Sequence, residues 1–460
     1  MIKKTANQLT INKNASIKET MKLVDEIGLG IAFIINKDKS LLGVVTDGDI
    51  RRAILKGVNI KKPIEEITNK KSIVVNEKFK EKEILKLKND REVKKRTAIG
   101  DSLKVPILDQ MGRVKDIIYI YTGKERNKSK VKRGGIKKVL VIGGAGYLGS
   151  VICRKALIHG YKIKVLDNLT YSDDGIKGLY PNKNFSFLRG DIRNISNIVE
   201  AIKDVDAVIH LAAIVGDPAC AVDPKQTLEI NYLATKMIVE TCKCFQINRF
   251  IFSSTCSVYG ESSTPNTKLT EESPLNPVSL YAETKIKCEQ SILEAVDENF
   301  SPTILRMATL YGYSPNMRFD LAINLLTGKA LFDKKIPIFG GSQWRPWLDV
   351  EDAAEAYINC LETPIEKVKG EIFNVLSENY KIIEVGKIIN SVCPEAKMEI
   401  SRKITDKRNY NVSFNKISQL LNYQPRKKIA DGVTEIKDAI KKGIIKNYQN
   451  PKYRTSLPQI

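Results

Sequence analysis

The sequence predicts an α/β protein built on a doubly wound parallel sheet with a small α/β C-terminal part, preceded by a separate α+β segment. Three observations predict it. From "KKVLVIGGAGYLGS" onward, short apolar runs alternate with helical patterns, the order expected of a parallel sheet. Gly143, Gly146 and Gly149 sit where the first run turns into the first helix, and Asp167 ends the second run. The first 121 residues have a different texture, and "TGKERNKSKVKRGG" (122–135), with six basic residues and no apolar periodicity, reads as a linker. The expected divisions are therefore 1–121, a linker over 122–135, 136–445, and a tail over 446–460.

Composition narrows the function classes. The chain has 460 residues, 42% hydrophobic and 28% charged, which is enough apolar content for a sizeable core. A net charge of +22 raises the question of nucleic acid, but the lysines are scattered and lack the interleaved aromatics that bind single strands. An anionic small substrate accounts for part of that charge. Eight cysteines without a CxxC pair, and only two histidines, argue against a metal site. Neither a signal-peptide pattern nor an apolar run of about 18 residues is present, so the expectation is a cytoplasmic protein with reduced thiols and no membrane partner.

In the first segment, "SIKETMKLVDEIGLG" reads as an amphipathic helix, "IAFIIN" and "LLGVVT" as strands, and "DGDIRRAILKG" as a helix. The order recurs more weakly with "EKEILKLKND" as a helix and "KVPILDQMGRVKDIIYIY" as two strands about a turn, which suggests two packed modules. Gly43, Thr46, Asp49 and Arg52 in "LLGVVTDGDIRRAI" resemble the Gly-x-x-Thr-x-x-Asp-x-x-Arg signature of a cystathionine β-synthase-like (CBS) module. That resemblance implies a regulatory CBS pair in which Thr46 and Asp49 hold the ribose and phosphate of an adenine nucleotide. The alternative is that Asp47 or Asp49 caps the helix. The second module lacks the Thr and the Asp-x-x-Arg, so at most one site matches.

The glycine loop follows a strand, opens a helix and has an acid about 20 residues on, which together specify a Rossmann-type dinucleotide fold. The glycines let backbone amides approach a pyrophosphate at the helix N-terminus, and Asp167 accepts from the adenosine ribose hydroxyls. No Arg or Lys stands beside it in "VLDNLT", so NAD is expected over NADP. Asp191 ends a further strand in "FSFLRGDIRN", placed to accept from the adenine amino group. "DAVIHLAA" puts small residues where a backbone passes close to the cofactor. His210 is expected to pack against the cofactor and not to act as a base.

"SSTCSVYG" (253–260) ends an apolar strand in hydroxyls, and "YAETK" (281–285) places Tyr281 and Lys285 on one helical face. With "GGAGYLG", "DN", "GDI", "HLAA" and "LRMATLYG" in the same order, residues 136–445 resemble the extended short-chain dehydrogenase/reductases, specifically the nucleotide-sugar epimerases and dehydratases. The resemblance implies Tyr281 as catalytic base, with Lys285 holding the nicotinamide ribose and lowering the tyrosine pKa. It implies that Thr255 hydrogen-bonds the reacting sugar oxygen. It further implies cofactor contacts from Tyr147, Leu148, Asn168, Ile192, Leu211, Ala212, Ala213 and Asn231, and a homodimer through the helix bearing Tyr281. Relatives that eliminate water resemble Thr-Asp-Glu at the strand end. Here Cys256 and Ser257 follow Thr255, so elimination is disfavoured. The expected activity is epimerisation of a nucleotide-diphosphate sugar, at C4, by transient hydride transfer to NAD. The alternative is a nucleotide-sugar ketoreductase or dehydrogenase with exchangeable NAD(P)(H).

A diphosphate calls for arginines. Arg345 in "GGSQWRPWLDVEDAA" and Arg408 in "ITDKRNYNVSF" match the family's phosphate-binding positions, and Arg318 beside Asn316 is a further candidate. Thr309, Tyr313 and Asp349 stand where the family has Asn, Pro and His, which leaves the base and sugar open.

Overall fold

The computed structural model describes residues 9–27, 30–77, 87, 103–120, 135–262, 266–402 and 408–454. Two compact units divide at Arg133 and Gly134. The linker expected over 122–135 falls outside the described residues except Gly135, and so does the "EKEILKLKND" helix except for helical Leu87.

The first unit contains both expected helices, Ile17–Ile27 and Asp47–Leu55. Strand Ile31–Ile35 pairs parallel with Thr10–Asn12 and antiparallel with Leu41–Thr46. Apolar residues at strand alternation and helical spacing meet in one core of Ile17, Val24, Ala32, Ile34, Val45, Ile50 and Ile64. Strands Leu103–Leu108 and Val114–Ile120 form the antiparallel pair expected of the second module.

The second unit is organised by seven parallel strands: β1 (Lys138–Ile142), β2 (Lys162–Asp167), β3 (Phe185–Arg189), β4 (Ala207–His210), β5 (Arg249–Thr255), β6 (Ser301–Met307) and β7 (Glu371–Val375). Their order is 3-2-1-4-5-6-7. This is a doubly wound Rossmann-type sheet whose order reverses between β1 and β4, where a crevice opens beyond the strand ends. Central strands β4, β5 and β6 are apolar along both faces, because helices cover each side. Helix α1 (Tyr147–Ile158) follows β1, the short helix α2 (Asp217–Val222) follows β4, and α3 (Leu280–Glu294) lies between β5 and β6. Ser279 caps α3 by accepting from the Ala282 amide.

The small C-terminal part has a three-stranded sheet of Thr309–Tyr311, Trp344–Asp349 and Glu378–Lys381, and a pair formed by Lys335–Phe339 with Lys397–Ser401. Tyr311, Ile338, Trp347, Val385 and Val433 fill its core. Residues 446–454, expected as part of a tail, pack back: Tyr448 and Tyr453 meet the ring of Phe319 edge-on, and the Tyr453 carbonyl accepts from the Phe319 amide. The aromatic spacing there is too sparse to signal this in sequence.

Candidate active site

The glycine loop is shaped by contacts that no other residue tolerates. Gly143 has φ +84°, and a Cβ on it would stand 2.6 Å from the Ala212 amide nitrogen. A Cβ on Gly149 would stand 2.3 Å from the Gly143 carbonyl oxygen. The loop therefore lies flat against the end of β4, and the first-turn amides of α1, around Tyr147 and Leu148, open toward the crevice. Asp167 closes the loop from the end of β2: its carboxylate accepts from the Ala145 amide at 3.0 Å and the Leu169 amide at 2.9 Å. Burial raises its pKa. A carboxylate has about four acceptor positions, so these two bonds leave capacity for ribose hydroxyls. The cradle thus fits a dinucleotide.

Asp191 follows β3, but its carboxylate is gripped by Arg193 at 2.7 and 3.1 Å, a partner two residues on that the strand-end reading overlooked. Asn168 accepts from the Thr170 hydroxyl and amide. Ile192 is buried, and Leu211 and Ala212 both donate backbone N–H to the Ile142 carbonyl, which stitches β4's end, with Ala213 next, to β1. His210 is a core residue: Nε2 shares a 2.9 Å hydrogen bond with Thr235, and the ring packs on Phe252 and Phe250. Burial, aided by Lys285, pulls its pKa down to about 3. It is neutral and packs against protein aromatics. Asn231 lies in a five-residue π-helical segment, Glu229–Leu233. Its amide bridges the Ile214 N–H (2.8 Å) and C=O (3.0 Å), fixing the chain just before α2.

Thr255 ends β5 and is buried. Its Oγ1 accepts from the Ser257 amide at 3.1 Å, and a hydroxyl that accepts there keeps its own proton to donate. Tyr281 is buried among Ile214, Ala219 and Cys220. Burial pushes its phenol above the ordinary value, Cys220 and Asp217 add to the effect, and Arg318 opposes it. Lys285 Nζ donates to the Ser253 carbonyl at 2.7 Å and lies 4.6 Å from the Phe252 ring centre and 5.9 Å from that of Tyr281. Burial lowers its pKa. The resemblance implies that this ammonium lowers the phenol's pKa. Here it is directed at the backbone of β5, and burial of the ring is the largest influence on the phenol.

The three arginines have protein partners. Arg408 stands 3.6 Å from Asp217 on α2. Arg345 is buried, donates to the carbonyls of Trp344 (2.8 Å) and Arg408, and faces the Tyr410 ring. Arg318 is held by both oxygens of Asp320, at 3.0 and 2.8 Å.

Sequence reasoning missed a buried network behind Thr255. Glu289 lies on the Tyr281/Lys285 face of α3, four residues beyond Lys285. It accepts from the Ser254 hydroxyl and from Arg306 of β6 at 2.8 to 3.3 Å. Arg306 also donates to the Tyr259 hydroxyl at 3.0 Å, which donates to Asn374 at 2.7 Å. The signal was available: 281, 285 and 289 recur at helical spacing. Cys256 is turned into the core, its thiol facing the Arg306 carbonyl at 3.2 Å, so no carboxyl group stands at that position.

Comparison with known proteins matches residues 139–375 to the model of the NAD dependent epimerase/dehydratase family, about half of the chain. The chain belongs to this family. NAD is its cofactor, which accords with the cradle of Gly143, Gly149 and Asp167. Residues 4–56 match the CBS domain model. UDP-glucose 4-epimerase of Bacillus subtilis is 27% identical over 59% of this chain and 85% of its own length. The crystal structure of UDP-glucuronic acid 4-epimerase from Bacillus cereus, with UDP-glucuronic acid and NAD, is similar with a TM-score of 0.61 at 30% identity, covering 66% of this chain and 99% of that one. The dTDP-glucose 4,6-dehydratase of Bacillus anthracis, in complex with NAD, has a TM-score of 0.60 at 25% identity, covering 70% and 100%. Epimerases and dehydratases are thus about equally similar in fold. Among the described residues no helix is long and apolar enough to cross a membrane.

Proposed function

We propose that this family member is an epimerase of a nucleotide-diphosphate sugar, inverting C4. One observation carries the choice over elimination: the positions after Thr255 hold Cys256, turned toward a backbone carbonyl, and Ser257. β-Elimination needs an acid for the leaving hydroxyl and a base for the carbon-bound proton, and neither residue supplies a carboxyl group. When bound, NAD supplies the hydride acceptor and donor and, in its oxidised form, a positive charge beside the phenol. Tyr281 takes the hydroxyl proton and returns it, and Thr255 donates to the reacting oxygen. Lys285 holds the nicotinamide ribose, braced by Ser253. Asp167 and Asn168 hold the adenosine ribose, while Asp191 and Ile192 border the adenine. Leu211, Ala212, Ala213 and Asn231 shape the strand end beside the nicotinamide.

Arg345, Arg408 and Arg318 hold the diphosphate, with Arg408 exchanging Asp217 for phosphate oxygens. The CBS pair is regulatory, taking an adenine nucleotide at Thr46 and Asp49, and the enzyme is a homodimer through α3. The test is incubation of the purified protein with UDP-glucose or UDP-galactose without added cofactor, with product analysis by chromatography. Interconversion is expected, and Tyr281→Phe lowers the rate about 10²- to 10⁴-fold. A keto product that forms only with added NAD or NADP, with one NADH or NADPH appearing per sugar oxidised, would move the reading to a dehydrogenase with exchangeable cofactor.

A further inference from the structure

Asp217 narrows the substrate, resting on the nucleotide-sugar reading above. It opens α2 in "VGDPACAV", just after β4, and Ala219 and Cys220 of the same turn pack against Tyr281. The packing of Ala219 and Cys220 on Tyr281 puts this turn, and Asp217 at its start, at the reacting end of the cleft. One oxygen, Oδ2, faces Arg408 at 3.6 Å. The other, Oδ1, is buried and has no hydrogen-bond partner.

A buried acceptor without a donor is unfavourable, and a sugar hydroxyl brings the donor it lacks. A sugar carboxylate brings no proton at neutral pH, so it leaves Oδ1 without a donor and adds a like charge beside Asp217. The nearby cations do not offset that charge. On the reading above Arg408, 3.6 Å from Asp217 here, turns with Arg345 and Arg318 to the diphosphate, which commits these cations away from the sugar.

We propose that Asp217 is a specificity-determining residue: it accepts from a hydroxyl of the bound sugar and excludes sugars that carry a carboxylate near the reacting carbon. The enzyme therefore takes neutral hexoses and rejects uronic acids, in contrast to the Bacillus cereus UDP-glucuronic acid 4-epimerase it resembles in fold.

UDP-glucose and UDP-glucuronic acid differ only at C6 and make the test, with the corresponding dTDP pair run alongside. Calorimetric Kd values on the protein with its NAD, and kcat/KM where turnover occurs, are compared for each pair. The neutral sugar is expected to bind about 100-fold more tightly. Asp217→Asn, which keeps the shape and removes the charge, is expected to narrow that ratio at least about 10-fold at unchanged NAD content. Equal or tighter binding of the uronic acid by the wild type would overturn the proposal, and that result needs no variant to fold. So would a ratio unchanged in Asp217→Asn. If the neutral sugar binds but is not epimerised, the epimerase reading fails while the binding ratio still decides this inference. Binding of none of the four sugars overturns both.

Discussion

The CBS signature and the dinucleotide glycine loop of this chain are built in opposite ways. In the first unit, Thr46 and Asp49 satisfy each other. The Thr46 hydroxyl donates to the Asp49 carboxylate at 2.7 Å, the Asp49 amide donates back at 3.2 Å, and Arg52 donates to the remaining carboxylate oxygen at 2.6 Å. Burial acts to raise the Asp49 pKa, yet Thr46 and Arg52 hold it below the ordinary value. In the second unit, the glycine loop has no side chains to satisfy, and its backbone is pressed against β4 and α1 so closely that a methyl group does not fit. A signature made of side chains doubles as a capping box. One made of glycines has no such second use.

The largest effect tests whether polar side chains in the second unit are as self-contained as those in the first. Arg306→Met leaves Glu289 buried without its cation and is expected to cost about 4 kcal/mol, read by denaturant unfolding. A change below about 1 kcal/mol would place this pair with ordinary surface pairs. Gly149→Ala forces a Cβ onto the Gly143 carbonyl and is expected to cost about 3 kcal/mol and to empty the protein of NAD, measured by absorbance after denaturation. Retained NAD would mean that the loop is less constrained than its contacts imply.

Asp349 sharpens the contrast, because it is a buried carboxyl whose Oδ2 has no hydrogen bond and whose nearest cation, Lys427, lies 3.9 Å from Oδ1. Burial raises its pKa to about 7. The folded state therefore holds its proton longer than the unfolded chain does. Its contribution to stability is full below pH 4 or so, is lost as pH rises to about 7, and stays lost above. Asp349→Asn keeps an N-cap acceptor for the Glu351 amide and is expected to stabilise the protein by about 2 kcal/mol at pH 8 but little at pH 4. Parallel pH profiles for variant and wild type would rule this out. The smallest effect is at the first signature: Asp49→Ala removes half of a capping box and is expected to cost about 1 kcal/mol, seen as a lower melting temperature. Adenine nucleotides are expected to raise the melting temperature of the wild type and not of this variant. An identical shift in both would remove Asp49 from the ligand site.

Sequence periodicity and the glycine spacing made the parallel sheet, its reversal point and the cofactor cradle legible, because these depend on residue size and alternation along the chain. That Tyr281 and Lys285 share a helical face was legible through local spacing, whereas Thr255 was singled out by the family resemblance. The direction of Lys285 toward the Ser253 carbonyl was not legible, since it depends on the register of α3 against β5. Long-range pairs were equally hidden: Asp217 with Arg408, Glu289 with Arg306, and Tyr453 on Phe319 join positions far apart in sequence. Arg193, by contrast, sits two residues from Asp191 and could have been seen.

The central claim is that the hydride stays within one active site between half-reactions. Purifying the protein without added cofactor, denaturing it and quantifying the released dinucleotide tests this most directly. Close to one NAD per chain is the predicted result; a protein that emerges empty and turns over sugar nucleotides only with added NAD(P)H would contradict it.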